Sequence, residues 1–140
     1  MSTSKPGAGR TGAPILVIED EASVAAFLRT ALSRRGYVVV SSESATDGLR
    51  LLKDGEFCGV ISDVRTPGSM SGTDVHTWIR EHRPDLLSRV IFITGDIANG
   101  QTAKLLEQSG VPFIEKPFRV AQLVAVLERT IETPREDDER

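Results

Sequence analysis

The sequence predicts an α/β domain built on a doubly wound, five-stranded parallel sheet with helices on both faces. Along residues 14–132, short apolar runs alternate five times with longer amphipathic stretches. Strict alternation of strands and helices is typical of a parallel sheet with right-handed crossovers. Residues 14–18, 58–62 and 89–93 are almost continuously apolar, which indicates strands buried on both faces. A chain of 140 residues suffices for one such domain.

The first two strand–helix pairs follow from residue spacing and from the residues that end each element. The strand at 14–18 stops at an acidic pair, and the helix predicted at 23–35 carries apolar residues at helical spacing. Gly36 suits the position just after a helix. A β-branched run predicts the second strand at 37–40, and the leucine spacing of residues 45–52 predicts the second helix.

The next three pairs are predicted on the same grounds. The strand at 58–62 precedes a helix at 73–83, which Pro84 stops. The remaining strands are predicted at 89–93 and 111–114, and the remaining helices at 98–109 and 120–131. The last of these helices carries apolar residues along one face.

Composition and charge exclude several classes of function. The 17 basic and 20 acidic residues leave a net charge of −3, so the domain lacks the basic surface that direct nucleic-acid binding requires. Cys58 is the single cysteine, which excludes an internal disulfide and a cysteine zinc site. Since no apolar run approaches the roughly 20 residues that span a bilayer and no secretory signal is present, we expect a cytoplasmic protein without membrane contact.

The two ends of the chain are predicted to lie outside the folded domain. Residues 1–13 are rich in Gly, Ser, Thr and Pro without apolar periodicity, which predicts a disordered leader. Residues 133–140 contain a charged run after a proline, which predicts a charged tail or the start of a linker. The folded domain is therefore expected at residues 14–132.

Polar side chains stand where four of the predicted strands end. Glu19 and Asp20 follow the first strand, Asp63 the third, Thr94 the fourth and Lys116 the fifth. Because the ligands of open α/β sheets bind beyond the carboxyl ends of the strands, we expect these residues to meet there. Each residue alone has a plainer explanation, such as a helix cap, a turn or a surface lysine. Their joint placement predicts a binding site.

The predicted cluster has the chemistry of a phosphoryl-binding site. Its three carboxylates would repel one another unless a cation is bound or a proton is taken up. Hard oxygen ligands without histidine or thiolate select Mg²⁺, or alternatively Mn²⁺. Lys116 adds a compact cation suited to phosphate, and Thr94 adds a hydroxyl donor. A carboxylate at the centre of such a site can accept a phosphoryl group covalently.

Four stretches of the chain resemble the receiver domain of two-component response regulators. They are ILVIEDE (15–21), ISDVRTPGSMSG (61–72), VIFITG (90–95) and FIEKPF (113–118). The resemblance covers roughly residues 14–132 and implies a flavodoxin-like fold with strand order 2-1-3-4-5.

The resemblance also implies a role for each polar residue at the strand ends. Asp63 would be the phosphoacceptor that attacks a phosphohistidine, and Thr94 and Lys116 would contact the phosphoryl group. Thr94 and Phe113 would be switch residues that move together, and Pro117, on a cis peptide bond, would orient the lysine. Mg²⁺ would be held by Glu19, Asp20, Asp63 and the backbone carbonyl of Arg65.

The implied function is a phosphorylation-activated signalling module rather than an enzyme that turns over an external substrate. Its partner would be a histidine kinase or a histidine phosphotransfer domain. Phosphorylation would change the surface formed by the fourth helix, the fifth strand and the fifth helix, and so its affinity for an output partner.

Alternatives remain open within and outside this resemblance. The chain would also suit the receiver module of a hybrid histidine kinase in an intramolecular phosphorelay, or an interaction module of the same fold that is not phosphorylated. A phosphatase of the haloacid-dehalogenase type would need a second aspartate where Arg65 stands. A flavin carrier would place its phosphate against the acidic residues 19–21.

Arg65 places a long cation two residues after the predicted phosphoacceptor. We hypothesise that Arg65 alters the lifetime of the phosphoaspartate. It would do so by shielding the phosphoryl group or by pairing with it or with a neighbouring acid.

Overall fold

Five parallel strands form one sheet in the residues that the computed structural model describes, namely 12–65, 70–95 and 100–132 apart from the side chain of Gln101. The strands are β1 (Ile15–Ile18), β2 (Val39–Ser42), β3 (Gly59–Asp63), β4 (Val90–Thr94) and β5 (Phe113–Glu115). The helices are α1 (Ala22–Arg34), α2 (Ala45–Asp54), α3 (Gly72–His82), α4 (Gly100–Ser109) and α5 (Val120–Thr130). The strand order is β2-β1-β3-β4-β5, which confirms the predicted fold class and topology.

Helices cover the sheet on both faces, and the central strand β1 shows how the two faces arise. Successive side chains of a strand point to opposite faces, and all four residues of β1 are buried. Ile15 and Val17 pack in a cluster with residues of α1 and α5, whereas Leu16 and Ile18 pack with residues of α2, α3 and α4. Strands β3 and β4 are buried throughout as well. Burial on two sides therefore explains the continuously apolar runs of the sequence.

Strand β2 begins at Val39, two residues later than predicted. The N–H group of Tyr37 donates to the carbonyl of Leu32 at 3.1 Å, so Tyr37 still belongs to the turn that ends α1. Gly36 in this turn has a φ of 95°, the left-handed conformation expected of a glycine after a helix. Pairing with β1 then starts with Val39 opposite Ile15 and continues into two serines. The predicted bounds of 37–40 are wrong, because β-branched residues indicate a strand but do not determine which residues pair with β1.

A 3₁₀ helix at Pro84–Arg89, which is absent from the sequence prediction, separates α3 from β4. Its first residue is a proline, which suits a position where no N–H group is needed. The side chain of Arg83 joins this segment to the end of α2, since its Nη1 donates to the carbonyls of Leu52 and Gly55 at 3.1 Å each. Strand β4 accordingly begins at Val90, one residue later than predicted.

The end of α5 is anchored to the edge of the sheet where the strands begin. Arg35 donates to both carboxylate oxygens of Glu132, from Nε at 2.9 Å and from Nη2 at 2.6 Å. The hydroxyl of Tyr37 donates to the same carboxylate at 3.1 Å. Arg89, which is buried just before β4, donates to the carbonyl of Ile131 at 2.7 Å. These contacts join the chain after α5 to the segments that lead into β2 and β4.

Smaller boundary differences remain at other elements. Strands β1 and β5 begin after the predicted residues 14 and 111. The predicted start of the fourth helix, at 98, lies outside the described residues, as do positions 1–11 and 133–140 of the predicted leader and tail. In the described part of the chain, no helix has the length and apolar character needed to cross a membrane.

Candidate functional site

The acidic and basic side chains predicted at the strand ends meet at the carboxyl edge of the sheet. The Nζ atom of Lys116 lies 2.8 Å from Oδ2 of Asp63 and 3.1 Å from Oε1 of Glu19. One carboxylate oxygen from each of Glu19, Asp20 and Asp63 lies within 4.8 Å of the others. Thr94 ends β4 and is paired with the residue before Lys116. The ends of four strands therefore contribute to one site.

Glu19 is a buried acid immediately after β1. Its backbone N–H group continues the pairing with β2 by donating to the carbonyl of Ser42 at 2.9 Å, and its side chain has no exposed surface (0%). Oε2 of Glu19 accepts a hydrogen bond from the N–H group of Glu21 at 3.0 Å. Burial raises the pKa of the Glu19 carboxyl and the charge of Asp63 adds to this, while the hydrogen bond from Glu21 opposes it. A cation close to this carboxylate would stabilise its charged form.

Asp63 is the last residue of β3, and both of its carboxylate oxygens are held. Oδ1 accepts from the N–H group of Arg65 at 3.0 Å, and Oδ2 accepts from Lys116 at 2.8 Å. The start of α3 approaches the same backbone, because the N–H group of Gly72 donates to the carbonyl of Val64 at 2.9 Å. A Cβ atom at residue 72 would overlap the carbonyl oxygen of Asp63. The sequence analysis quoted Gly72 within a motif but did not identify this close approach.

Lys116 is fixed by its backbone as well as by its ammonium group. Its N–H group donates to the carbonyl of Thr94 at 2.7 Å. Burial by itself lowers the pKa of Lys116, but hydrogen bonds to Asp63 and Glu21 raise it by more, so the net shift is upward and the amine stays protonated. The Nζ–carboxylate distances are 2.8 Å to Asp63, 2.6 Å to Glu21 and 3.1 Å to Glu19.

Glu21 is a partner of Lys116 that the sequence analysis did not assign. The sequence shows three consecutive acids at 19–21, but it does not show which of them faces a residue almost a hundred positions away. Glu21 occupies the N-cap position of α1, yet its side chain makes no capping hydrogen bond. Its carboxylate contacts Lys116 instead, while its side chain remains 57% exposed.

The two predicted switch residues differ in their exposure. Thr94 is buried at the end of β4, whereas Phe113 is 41% exposed at the start of β5 and is paired with Phe92. The bond between Lys116 and Pro117 is cis, as the resemblance implies. The concerted movement of Thr94 and Phe113 stays a prediction.

The side chain of Arg65 contacts helix α4. Its Nη2 donates to Oγ1 of Thr102 at 3.4 Å, and Thr102 is buried in the first turn of that helix. Neither the motifs nor the spacing of the sequence indicated this contact. The proposed use of the Arg65 carbonyl as a metal ligand stays a prediction.

The residues present at the site fit a hard divalent cation. Oε1 of Glu19 is buried and accepts no hydrogen bond within the described residues, since the ammonium of Lys116 lies 3.1 Å from it but donates to Oε2 at 3.3 Å. Asp20 adds an exposed carboxylate and Asp63 a nearly buried one. Carboxylate oxygens without soft ligands are the donor set that Mg²⁺ and Mn²⁺ take in proteins.

A doubly wound sheet with an acidic cluster and a lysine at its carboxyl edge defines an α/β domain with a candidate site for a divalent cation and a phosphate group. The sequence profile of the response regulator receiver domain matches residues 15–128. The chain therefore belongs to the response regulator receiver family of two-component signalling systems, whose members are signalling modules rather than turnover enzymes.

Individual relatives show how far the similarity extends. The DNA-binding transcriptional regulator NtrC of Azospirillum brasilense is 31% identical over 121 residues, which are 86% of this chain and 24% of NtrC. The non-phosphorylated HemR receiver domain of Leptospira biflexa has a TM-score of 0.74 and 27% identity, covering 88% of this chain and 97% of that one. The receiver domain of the sensor histidine kinase PA1611 of Pseudomonas aeruginosa, with a magnesium ion coordinated in its active-site cleft, has a TM-score of 0.75 and 24% identity, covering 86% and 98%. The chain thus spans about a quarter of the NtrC protein that it matches.

Proposed function

We propose that this domain accepts a phosphoryl group from a phosphohistidine onto Asp63, in a Mg²⁺-dependent reaction, and that residues 14–132 form the receiver unit. The observation that carries the proposal is the contact of Asp63 with Lys116 at 2.8 Å inside an acidic cluster at the carboxyl edge of the sheet. A carboxylate beside a fixed ammonium can attack phosphorus while the incoming negative charge is offset.

The chain's own residues supply the positioning that the reaction needs. The hydrogen bond from Arg65 to Oδ1 and the ion pair from Lys116 to Oδ2 fix the carboxylate of Asp63. One oxygen of Asp63 forms the new bond to phosphorus, while the phosphorus–nitrogen bond of the phosphohistidine breaks and its electron pair stays on the imidazole. Lys116 then contacts the transferred group, and the hydroxyl of Thr94 donates to one of its oxygens.

The proposed metal site uses the three carboxylates of the cluster. Glu19, Asp20 and Asp63 would hold Mg²⁺ together with the backbone carbonyl of Arg65, and Mn²⁺ could take its place. When bound, the ion supplies positive charge that offsets the charge on the phosphoryl oxygens. The PA1611 receiver domain, which shares this fold, has a magnesium ion coordinated in its active-site cleft.

The output of the domain would be a change in the surface formed by α4, β5 and α5. The acyl phosphate adds about −1.5 to −2 charges at one point, which draws the Thr94 hydroxyl toward it. Phe113 is exposed in this structure and would turn inward as Thr94 moves. Leu105 on α4 is also an exposed apolar residue. Movement of either side chain changes which apolar surface an output partner meets.

The donor would be a histidine kinase or a histidine phosphotransfer domain, approaching at the carboxyl edge of the sheet. A groove beside Lys116 is lined by apolar side chains, among them Val24, Phe27 and Phe118. The rings of Phe27 and Phe118 meet edge to face with centroids 5.5 Å apart. A helix that carries a phosphohistidine could pack on this groove and present its imidazole to Asp63. We place the domain in the cytoplasm, with no membrane contact and no direct nucleic-acid contact.

The decisive experiment compares the wild-type chain with Asp63→Asn. In Mg²⁺ with acetyl phosphate, we expect intact-mass spectrometry to show one phosphoryl group on the wild-type chain and none on the variant, since an amide cannot act as the acceptor. Asp54→Asn, at an exposed acid at the end of α2, is the matched control and should still be phosphorylated. Phosphate on the Asp63→Asn protein at the wild-type level would refute the assignment.

The same measurement separates the alternatives. An interaction module that is not phosphorylated would take up no phosphate from acetyl phosphate or from any kinase. If the domain is the receiver module of a hybrid histidine kinase, phosphoryl transfer should be fastest from the kinase domain of the same polypeptide.

A further inference from the structure

We propose that Glu21 restrains phosphorylation by competing with the incoming phosphoryl group for the ammonium of Lys116. The inference rests on the proposed function, because it concerns the same site, and it assigns a regulatory role to a residue that the mechanism above does not use.

Lys116 can donate a limited number of hydrogen bonds at one time. An ammonium group has three N–H donors, and three carboxylates surround Nζ of Lys116 at 2.6 to 3.1 Å. The shortest of these contacts, at 2.6 Å, is the one to Glu21. A phosphoryl group on Asp63 brings new oxygen acceptors to the same ammonium. The bond to phosphorus removes the charge of the Asp63 carboxylate and frees one N–H donor, so each further contact to a phosphoryl oxygen must replace a contact to Glu19 or Glu21.

Glu19 and Glu21 differ in what their release from Lys116 would cost. The side chain of Glu19 has no exposed surface, so leaving its carboxylate without a cation would be costly. The Glu21 side chain is 57% exposed and can return to water at little cost. Glu21 is therefore the partner that Lys116 gives up.

The local backbone explains why Glu21 faces Lys116. A side chain at a helix N-cap usually accepts a hydrogen bond from the first turn of the helix, but Glu21 makes no such bond. The backbone N–H group of Glu21 donates to Oε2 of Glu19, and this hydrogen bond holds the backbone beside the acidic cluster. The carboxylate is thereby directed to Lys116 rather than to α1.

Two effects of Glu21 then act in the same direction. The ion pair stabilises Lys116 in the unphosphorylated arrangement and is lost on phosphorylation. The carboxylate also repels a dianionic phosphoryl group at the mouth of the site. Both effects weaken the binding of a phosphoryl group, so removing the charge of Glu21 should strengthen it.

The test measures the affinity of the full chain for beryllofluoride, a phosphoryl mimic, at saturating Mg²⁺ by NMR titration of the amide resonances. We expect Glu21→Gln to bind beryllofluoride about two- to fivefold more tightly than the wild-type chain, the range that follows from the strength of exposed ion pairs. Glu81→Gln, the same change of charge at an exposed position on α3, should bind like the wild-type chain. Urea unfolding of each variant checks that the fold is unchanged.

A second variant distinguishes loss of the ion pair from loss of the charge. Glu21→Asp keeps the charge on a shorter side chain that does not reach Lys116, so it should tighten binding by less than Glu21→Gln does. Unchanged or weaker binding by Glu21→Gln, or tighter binding by Glu21→Asp than by Glu21→Gln, overturns the inference. If the wild-type chain itself does not respond to beryllofluoride, the proposed function fails and the role of Glu21 fails with it.

Discussion

Arg65, two residues after the proposed acceptor, joins the end of β3 to helix α4. Its backbone N–H group holds Asp63, while its guanidinium contacts Thr102 at 3.4 Å. That contact is long for a hydrogen bond and can be exchanged for a stronger one. A phosphoryl group on Asp63 offers charged oxygens that bind a guanidinium better than a neutral hydroxyl does.

We predict that Arg65→Ala shortens the half-life of the phosphoaspartate by about two- to fivefold, because an exposed charge-assisted contact is worth up to about 1 kcal/mol. The measurement is the loss of phosphate from the purified phosphorylated chain over time. Lys53→Ala, which removes an exposed cation from α2, serves as the control and should decay at the wild-type rate. An unchanged half-life in Arg65→Ala would remove Arg65 from any role in shielding or pairing.

At the same scale, the sequence predicts part of the site and leaves another part unassigned. Asp63 and Lys116 were expected to lie close together because both follow strands of one parallel sheet, and strand ends are visible in the sequence. Glu21 and Thr102 were not assigned, since their contacts depend on side-chain direction. Such directions follow from tertiary packing and have no local signature in a single sequence.

At the scale of elements, the start of α3 sets the position of the acceptor backbone. Ser71 and Asp74 form a reciprocal cap, in which the N–H group of Ser71 donates to Asp74 at 2.9 Å and the N–H group of Asp74 donates back to the hydroxyl of Ser71 at 3.4 Å. Gly72 then lies directly against the carbonyl of Asp63. The cap and the glycine together bring the helix terminus against β3.

Gly72→Ala tests this close approach. We expect the free energy of unfolding to fall by about 1–3 kcal/mol, because the added methyl group forces the backbone of β3 or α3 to move. Urea denaturation measures the change. The control is Gly100→Ala at the start of α4, where an added Cβ would meet no atom of the described residues within 4 Å and stability should hold or rise by up to about 1 kcal/mol. Equal stability of Gly72→Ala and the wild-type chain would contradict the predicted overlap.

The elements that sequence patterns predicted best were those buried on both faces. Strands β1, β3 and β4 are buried over their whole length, and each was placed within one residue of its observed ends. The 3₁₀ helix after Arg83 was missed because it depends on a side chain reaching carbonyl groups on α2. Strand β2 was displaced because its second half is polar and is defined by pairing with β1.

At the scale of the whole molecule, an ion pair between Arg35 and Glu132 joins the end of α1 to the chain after α5. The carboxylate of Glu132 is only 12% exposed and receives two hydrogen bonds from Arg35 and one from Tyr37. Bidentate pairs of this kind are stronger than single exposed ion pairs. They hold together two helices that are far apart in the sequence.

We predict that Glu132→Gln lowers the free energy of unfolding by about 1–2 kcal/mol, because it removes the charge from a partly buried, hydrogen-bonded pair. Phosphorylation of Asp63 should be unchanged, since the pair lies at the other edge of the sheet. Glu128→Gln makes the same change at a carboxylate that is 61% exposed and 3.7 Å from Arg35, so its effect should stay within about 0.5 kcal/mol. If both variants lose the same free energy of unfolding, the Arg35–Glu132 pair is not stronger than the Arg35–Glu128 pair.

The anchoring of Ile131 and Glu132 also has a practical consequence for experiments on this protein. Because these residues are tied to the segments that lead into β2 and β4, a fluorophore or a fused module attached beyond them begins its path on the side remote from Asp63. We expect such an attachment to keep clear of the carboxyl edge of the sheet, so that phosphotransfer can be followed on a labelled chain.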